Sequence, residues 1–244
     1  MTGRPSPDDA AARVAANLAR IREQVAAACR QAGRATSEVT LIGVTKYVDA
    51  ATARLVHAAG CHDLGESRPQ ALWAKAEALA DLAPPPRWHL IGHLQRNKIR
   101  RTLAVNALIH SLDSLRLLDA LEAEAAALGC VCESLVEVNL AGDPGRTGAG
   151  EAEAEQIIAA AAAMRHVRVC GLMGMASMPD GDTHAARREF AQLRALRDRL
   201  AATLPGGDGL RELSMGMSGD FAEAILEGAT LIRVGSALFE GLGA

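Results

Sequence analysis

The feature that most constrains this chain is an alternation: a short apolar run followed by a helical pattern, repeated eight times along 244 residues. The runs are VTLIGVTK, CHDLGE, RWHLIG, ALIHSL, ESLVEVNL, VRVCGLMGM, LRELSMGMS and TLIRVGSALFEG. Strands separated by helices predict a parallel sheet, and eight such units in this length match a (β/α)8 barrel of the TIM type. A doubly wound open sheet is the alternative, because periodicity does not show closure. A further helix is predicted ahead of the first run, over residues 8–32. Val14, Leu18, Ile21, Val25 and Cys29 form its apolar stripe at three- and four-residue steps, and Gly33 ends it. This helix is expected to close or flank the bottom of the barrel. No linker or composition shift divides the chain, so one domain over 1–244 is expected.

Composition narrows the function classes. A hydrophobic fraction of 49% with a formal net charge of −3 is that of an ordinary soluble globular protein and implies no polyanionic partner. Neither nucleic-acid nor membrane binding is expected. Phe190, Phe221 and Phe239 are read as packing anchors rather than a base-stacking surface. There is no apolar run of membrane-spanning length, and the opening MTGRPSPDD lacks a signal peptide's apolar stretch, so a cytoplasmic protein is expected. Five cysteines, Cys29, Cys61, Cys130, Cys132 and Cys170, are odd in number and lack C-x-x-C spacing, which argues against a disulfide framework or a zinc site.

Two places carry chemistry. Lys46 ends the first predicted strand, on the face of Ile42 and Val44 rather than of Val39 and Leu41. If that face is the barrel interior, the amine is held over a dry core. Burial then favours the neutral amine, which can form an imine with an aldehyde; a solvated lysine at a strand end is the competing reading. At the other end of the sequence, TLIRVGSALFEG runs from a strand straight into a short helix. Gly235 and Ser236 lie at the turn, where backbone N–H groups suit an anion. In barrel enzymes, phosphate sites commonly use the loops after the seventh and eighth strands, and LSMGMSGD supplies the seventh with Ser214, Gly216 and Ser218. A lysine after the first strand and a cup after the eighth are neighbours once a barrel closes. Arg233 shares a strand face with Gly235 and points toward the mouth, or else forms an ion pair with Glu66 or Glu137. A guanidinium only donates, so against a pyridine nitrogen it would leave that nitrogen unprotonated.

The motifs VTKYVDA, LGESRPQAL, RWHLIGHLQRNKIR, VNLAGDPGRTG, VCGLMGMAS, LSMGMSGDFAEAI and LIRVGSALFEG resemble, in order, the signatures of the pyridoxal phosphate homeostasis proteins, also called the proline-synthetase co-transcribed family. The resemblance runs over residues 39–241. It implies a barrel similar to the N-terminal domain of alanine racemase, with pyridoxal 5′-phosphate held as a Schiff base on Lys46. It further implies that Arg233 faces the pyridine nitrogen and that Ser214, Gly235 and Ser236 hold the phosphate. Two positions depart from the family pattern. Ser67 stands where the family has asparagine after Gly-Glu, and Arg146 stands where it often has a lysine, so a second aldehyde-binding amine is not expected there.

Other residues receive blander readings. His89 and His93 are spaced H-x-x-x-H but fall on a strand and its loop, so no metal site is expected. Gln95, Asn97 and Lys98 open a helix and face solvent, a partner or the mouth. Met175, Met178, Met215 and Met217 are read as adaptable packing around the mouth. The expected function is storage, buffering or delivery of the cofactor by a monomer, with pyridoxal-phosphate-dependent apo-enzymes as recipients. The alternatives are an amino-acid racemase of the alanine racemase type and a Schiff-base aldolase. Racemisation needs a second acid/base opposite Lys46, and the sole tyrosine, Tyr47, is expected to point to the other side of the strand.

Overall fold

The computed structural model describes residues 6–143, 145–177 and 182–242. Met178 lies outside them. Its strands are β1 (Thr40–Val44), β2 (Asp63–Glu66), β3 (Arg87–Leu90), β4 (Leu108–Leu112), β5 (Cys132–Val138), β6 (Val167–Gly174), β7 (Glu212–Ser214) and β8 (Leu231–Val234). They pair in parallel in sequence order and close between β8 and β1, giving a (β/α)8 barrel and excluding the open sheet. The helices are α1 (Pro7–Gln31), α2 (Ala50–Ala58), α3 (Pro69–Ala78), α4 (Ile99–Leu103), α5 (Leu115–Leu128), α6 (Glu151–Ala161), α7 (Thr183–Thr203) and α8 (Phe221–Leu226). No helix among the described residues is long and apolar enough to cross a membrane.

Four of the eight described helices start where a short polar side chain satisfies free backbone N–H groups. Ser6 caps α1, Asp49 caps α2, Ser114 caps α5 and Asp182 caps α7. Gly33, Gly60 and Gly129 follow α1, α2 and α5 with positive φ, the conformation glycine adopts at little cost. The α1 stripe of Val14, Leu18, Ile21, Val25 and Cys29 is buried, each side chain contributing about 1.5–3 kcal/mol where it is fully covered. This helix packs on α2 and α8, the two helices that flank the β8–β1 seam, and thus flanks the barrel rather than closing its bottom. Asn17 fastens it by donating to the carbonyls of Leu238 and Glu240.

Two layers of apolar packing result. The larger lies between strands and helices and contains Phe190, Phe221, Leu72 and Trp73. The smaller fills the barrel, where Ile42, Leu135, Met173 and Leu231 meet from β1, β5, β6 and β8. Strand alternation then places Arg233, two residues after Leu231, on the same interior face.

Candidate functional site at the barrel mouth

The strand ends and the loops that follow them form the mouth. β1 stops at Val44, two residues before Lys46. Thr45 N still donates to Gly65 O at 3.0 Å, after which the chain turns, Val48 N donating to Thr45 O at 3.0 Å. Lys46 is therefore exposed on a turn, not held over the dry interior as strand parity predicts. Its Nζ lies 4.8 Å from the centre of the Tyr47 ring, and that ring is 88% exposed. Tyr47 thus stands beside Lys46 and not across the strand from it, because side-chain alternation ends where the strand does.

The turn is anchored from below by a group the sequence did not single out. Lys75 of α3 reaches inward, donating to Thr45 O at 2.6 Å and to Glu66 Oε1 at 2.5 Å. Thr45 Oγ1 donates to the same carboxylate oxygen at 2.6 Å. Glu66 is fully buried, and its other oxygen has no partner among the described residues. Lys75 and Glu66 form the buried ion pair of the mouth, so Glu66 is not a partner of Arg233.

On the far side of the β8–β1 seam, β8 ends at Val234 and passes into a single 3-10 turn, Ser236–Leu238, rather than an α-helix. An N-terminal helix dipole is accordingly a small contribution there, and the cup rests on individual N–H groups. Gly235 N and Ala237 N converge on Ser218 Oγ, at 3.2 and 3.5 Å. An oxygen acceptor already sits where the two donors point. Ser218, in the β7–α8 loop, is thus the serine at the cup. Ser214 is fully buried, its hydroxyl held between Arg233 Nη1 at 2.7 Å and His110 Nδ1 at 2.9 Å. Gly216 separates the two serines. Its φ is +92°, and a Cβ there would stand 2.6 Å from Ala224 Cβ, so only glycine makes this bend.

Arg233 is almost wholly buried and forms no ion pair with Glu137 or Glu66. Its Nη2 donates to Gly174 O at 3.0 Å and its Nη1 to Ser214, while Gly216 O accepts from its backbone N–H. Burial pulls the guanidinium down to about 10, against the opposing charges of Asp220 and Glu137. Two of its five N–H donors are used by these side-chain bonds, leaving donor capacity for a ring acceptor. Burial raises the carboxyls of Glu137 and Asp220, even though Thr147 donates to Glu137 Oε1 and Met217 N to Asp220 Oδ1.

The remaining candidates take separate places. His89 bonds to Asp63 and His110 inside the barrel, whereas His93 faces Asp113 at 3.5 Å, so the two histidines do not converge. Arg146 donates to Met175 O at 3.3 Å. Met215 is buried and Met217 exposed, while Met175 packs on the interior cluster. Gln95 and Asn97 are exposed and Lys98 half-buried in a 3-10 turn ahead of α4.

A closed parallel barrel with an exposed lysine, two backbone donors converging on one oxygen and a buried donor-only cation on the side where its strands end defines a class: a (β/α)8 barrel with the parts of an anion site at its mouth. The family model described as alanine racemase, N-terminal domain, matches residues 14–242. The pyridoxal phosphate homeostasis protein of Aquifex aeolicus is 36% identical over 91% of this chain and 95% of its own, and that of Pseudomonas aeruginosa is 35% identical over 93% and 94%. The solved structure of PipY from Synechococcus elongatus PCC7942 with PLP bound superposes with a TM-score of 0.80 at 35% identity, covering 93% of this chain and 99% of that one. This chain belongs to the pyridoxal phosphate homeostasis protein family, within the alanine racemase N-terminal-domain fold.

Proposed function

We propose that this protein binds pyridoxal 5′-phosphate and serves its intracellular homeostasis by storing, buffering or delivering it. The observation that carries the reading is the closure of β8 onto β1, which puts Lys46, two residues past β1, at the same end of the barrel as the Gly235 and Ala237 N–H groups that follow β8. The residues fit the group: a free amine, a cup already accepting an oxygen, a cation with spare donors, and an unpartnered buried carboxylate oxygen on Glu66. When bound, the cofactor supplies an aldehyde that condenses with an amine, and a ring that withdraws electrons.

In this reading Lys46 holds the cofactor as a Schiff base. Gly235, Ser236 and Ser218 hold the phosphate through backbone N–H and hydroxyl groups, and Ser214 supports Arg233 from beneath. Arg233 donates to the ring nitrogen, which keeps that nitrogen unprotonated and the ring a weak electron sink. Lys46 and Tyr47 share one turn, so the sole tyrosine does not supply a second base across from the lysine, as racemisation requires. The protein therefore retains the cofactor in the cytoplasm as a monomer, without racemase turnover, and surrenders it to pyridoxal-phosphate-dependent apo-enzymes. Borohydride reduction of the protein mixed with pyridoxal 5′-phosphate, followed by peptide mapping, should place the adduct on Lys46, and Lys46→Ala should abolish the visible band. An adduct confined to Lys75 would overturn the assignment.

A further inference from the structure

Beneath the mouth, one hydrogen-bonded chain crosses the barrel interior. Arg233 Nη1 donates to Ser214 Oγ at 2.7 Å, and Ser214 Oγ lies 2.9 Å from His110 Nδ1. His110 Nε2 lies 3.0 Å from His89 Nδ1, and His89 Nε2 lies 3.1 Å from Asp63 Oδ1. The other oxygen of Asp63 accepts from Arg87 Nη2 at 2.6 Å. Asp63 and Arg87 open β2 and β3, at the end of the barrel opposite the mouth, and Arg87 reaches solvent there. Between Arg233 and Asp63 every linking side chain is buried.

With both imidazoles neutral, the ends set the direction of the whole. A guanidinium donates only and a carboxylate accepts only. Ser214 Oγ therefore accepts from Arg233 and turns its hydrogen to His110 Nδ1. His110 must then carry its proton on Nε2 and donate to a bare His89 Nδ1, and His89 donates from Nε2 to Asp63. Each of the four contacts from Arg233 to Asp63 then pairs one donor with one acceptor. A second proton on His110 would displace the serine hydrogen from this contact, and burial with the nearby charge of Arg233 holds this imidazole well below its ordinary range. Asp63, although desolvated, is held below the usual carboxylate range by its bonds from His89 and Arg87.

We infer that this chain is a relayed salt bridge, in which Asp63 at the base compensates Arg233 at the mouth through Ser214, His110 and His89, making the two histidines positioning residues for the guanidinium and thereby for retention of the cofactor. All its dipoles run from cation to anion, so each bond polarises the next in the same sense. This adds a distant carboxylate to the compensation of a buried cation that has none in contact, an arrangement that desolvation otherwise disfavours. It also explains why a barrel interior normally filled with aliphatic side chains carries two imidazoles. The inference deepens the proposed function and rests on it for the link to the cofactor.

Two measurements test it. Long-range 15N NMR of the ligand-free protein near neutral pH should show His89 and His110 neutral with the proton on Nε2. A proton on Nδ1 of His110, or a doubly protonated ring, would overturn the relay. In parallel, pyridoxal 5′-phosphate is titrated into His110→Leu and His110→Gln and followed by visible absorbance. The Leu variant should retain it roughly tenfold less tightly, about the value of one hydrogen bond, with a displaced absorption maximum. The Gln variant, able to accept from Ser214 and donate to His89, should recover most of both. Equal affinity and an unchanged band in both variants would overturn the positioning role. Should His110→Leu fail to fold, Asp63→Asn in the same titration and the NMR assignment decide. A parent protein that takes up no pyridoxal 5′-phosphate would sink the functional reading, while the histidine tautomers still judge the chain.

Discussion

The two ends of this barrel treat buried carboxyl groups in opposite ways. At the base, Asp63 has a donor on each oxygen, His89 and Arg87, and sits below its usual range. At the mouth, Glu137 and Asp220 are raised by burial, and Asp220 Oδ2 and Glu66 Oε2 lack partners among the described residues. The base is not free of unsatisfied atoms, since His62 Nδ1 and Ser134 Oγ are also orphaned, but those are single neutral atoms. Buried polar groups without partners cost about 1–3 kcal/mol each, more when charged, so the mouth is built at the expense of stability. A base whose carboxylate is paired on both oxygens and a mouth whose carboxyls are not locate the work of the molecule at the mouth.

Strand β8 carries both ends on one face, and it offers the sharpest way to break the comparison. Leu231 packs in the interior cluster near the base, and Arg233 lies two residues on, at the mouth. Leu231→Ala should cost about 2–5 kcal/mol of unfolding free energy, the range for emptying a packed interior position. Its cofactor affinity per folded molecule should stay unchanged, which urea denaturation and a visible titration report separately. Arg233→Gln should do the reverse. Losing a charge-assisted hydrogen bond of about 1.5–3 kcal/mol weakens retention roughly ten- to a hundredfold. The stability of the ligand-free protein should fall less than in Leu231→Ala, because the desolvation cost of the guanidinium is removed and the glutamine amide keeps a donor near Ser214 and Gly174 O. Ser236→Ala should weaken retention less than Arg233→Gln, since the backbone N–H groups remain. If Leu231→Ala loosens the cofactor as much as Arg233→Gln does, the division between the two ends is wrong.

What the sequence makes legible here follows from range. The α1 stripe and the alternation of Leu231 and Arg233 are local patterns with a fixed period, and the structure keeps them. Lys46 is legible as a residue but not as a position. Strand parity holds only as far as Val44, where a turn closed by Val48 N and Thr45 O replaces the strand. The two serines of SMGMS are indistinguishable by spacing. Gly216 bends the chain between them, sending Ser214 inward and Ser218 to the cup. Lys75 reads as an ordinary helical lysine, and only the fold brings Glu66 against it. The histidine chain joins residues as far as 104 apart in sequence, and no window spans that distance. Its one local trace is a histidine at an interior parity position in each of two apolar strands.

The smallest effect expected, and the one that sharpens the comparison most directly, is the response of stability to acid. Asp63 has a folded value below its ordinary 3.8, so its contribution is present above that value and is lost only as pH falls through the lower folded one. Asp220 is raised above 3.8, so its ionisation opposes folding at neutral pH, and that penalty disappears as it takes up a proton on the way down. Replacing each by asparagine keeps an acceptor and removes the titration. Asp220→Asn should be more stable than the parent at neutral pH, and its advantage should shrink as the solution is acidified. Asp63→Asn should be less stable at neutral pH, with a deficit that persists through mild acid and closes only below the ordinary aspartate range. Urea denaturation of the three ligand-free proteins from about pH 7 to pH 3 separates the two signs, since every other carboxyl is common to all of them. Two variants moving in the same direction would mean that base and mouth do not differ in how they hold their carboxyl groups.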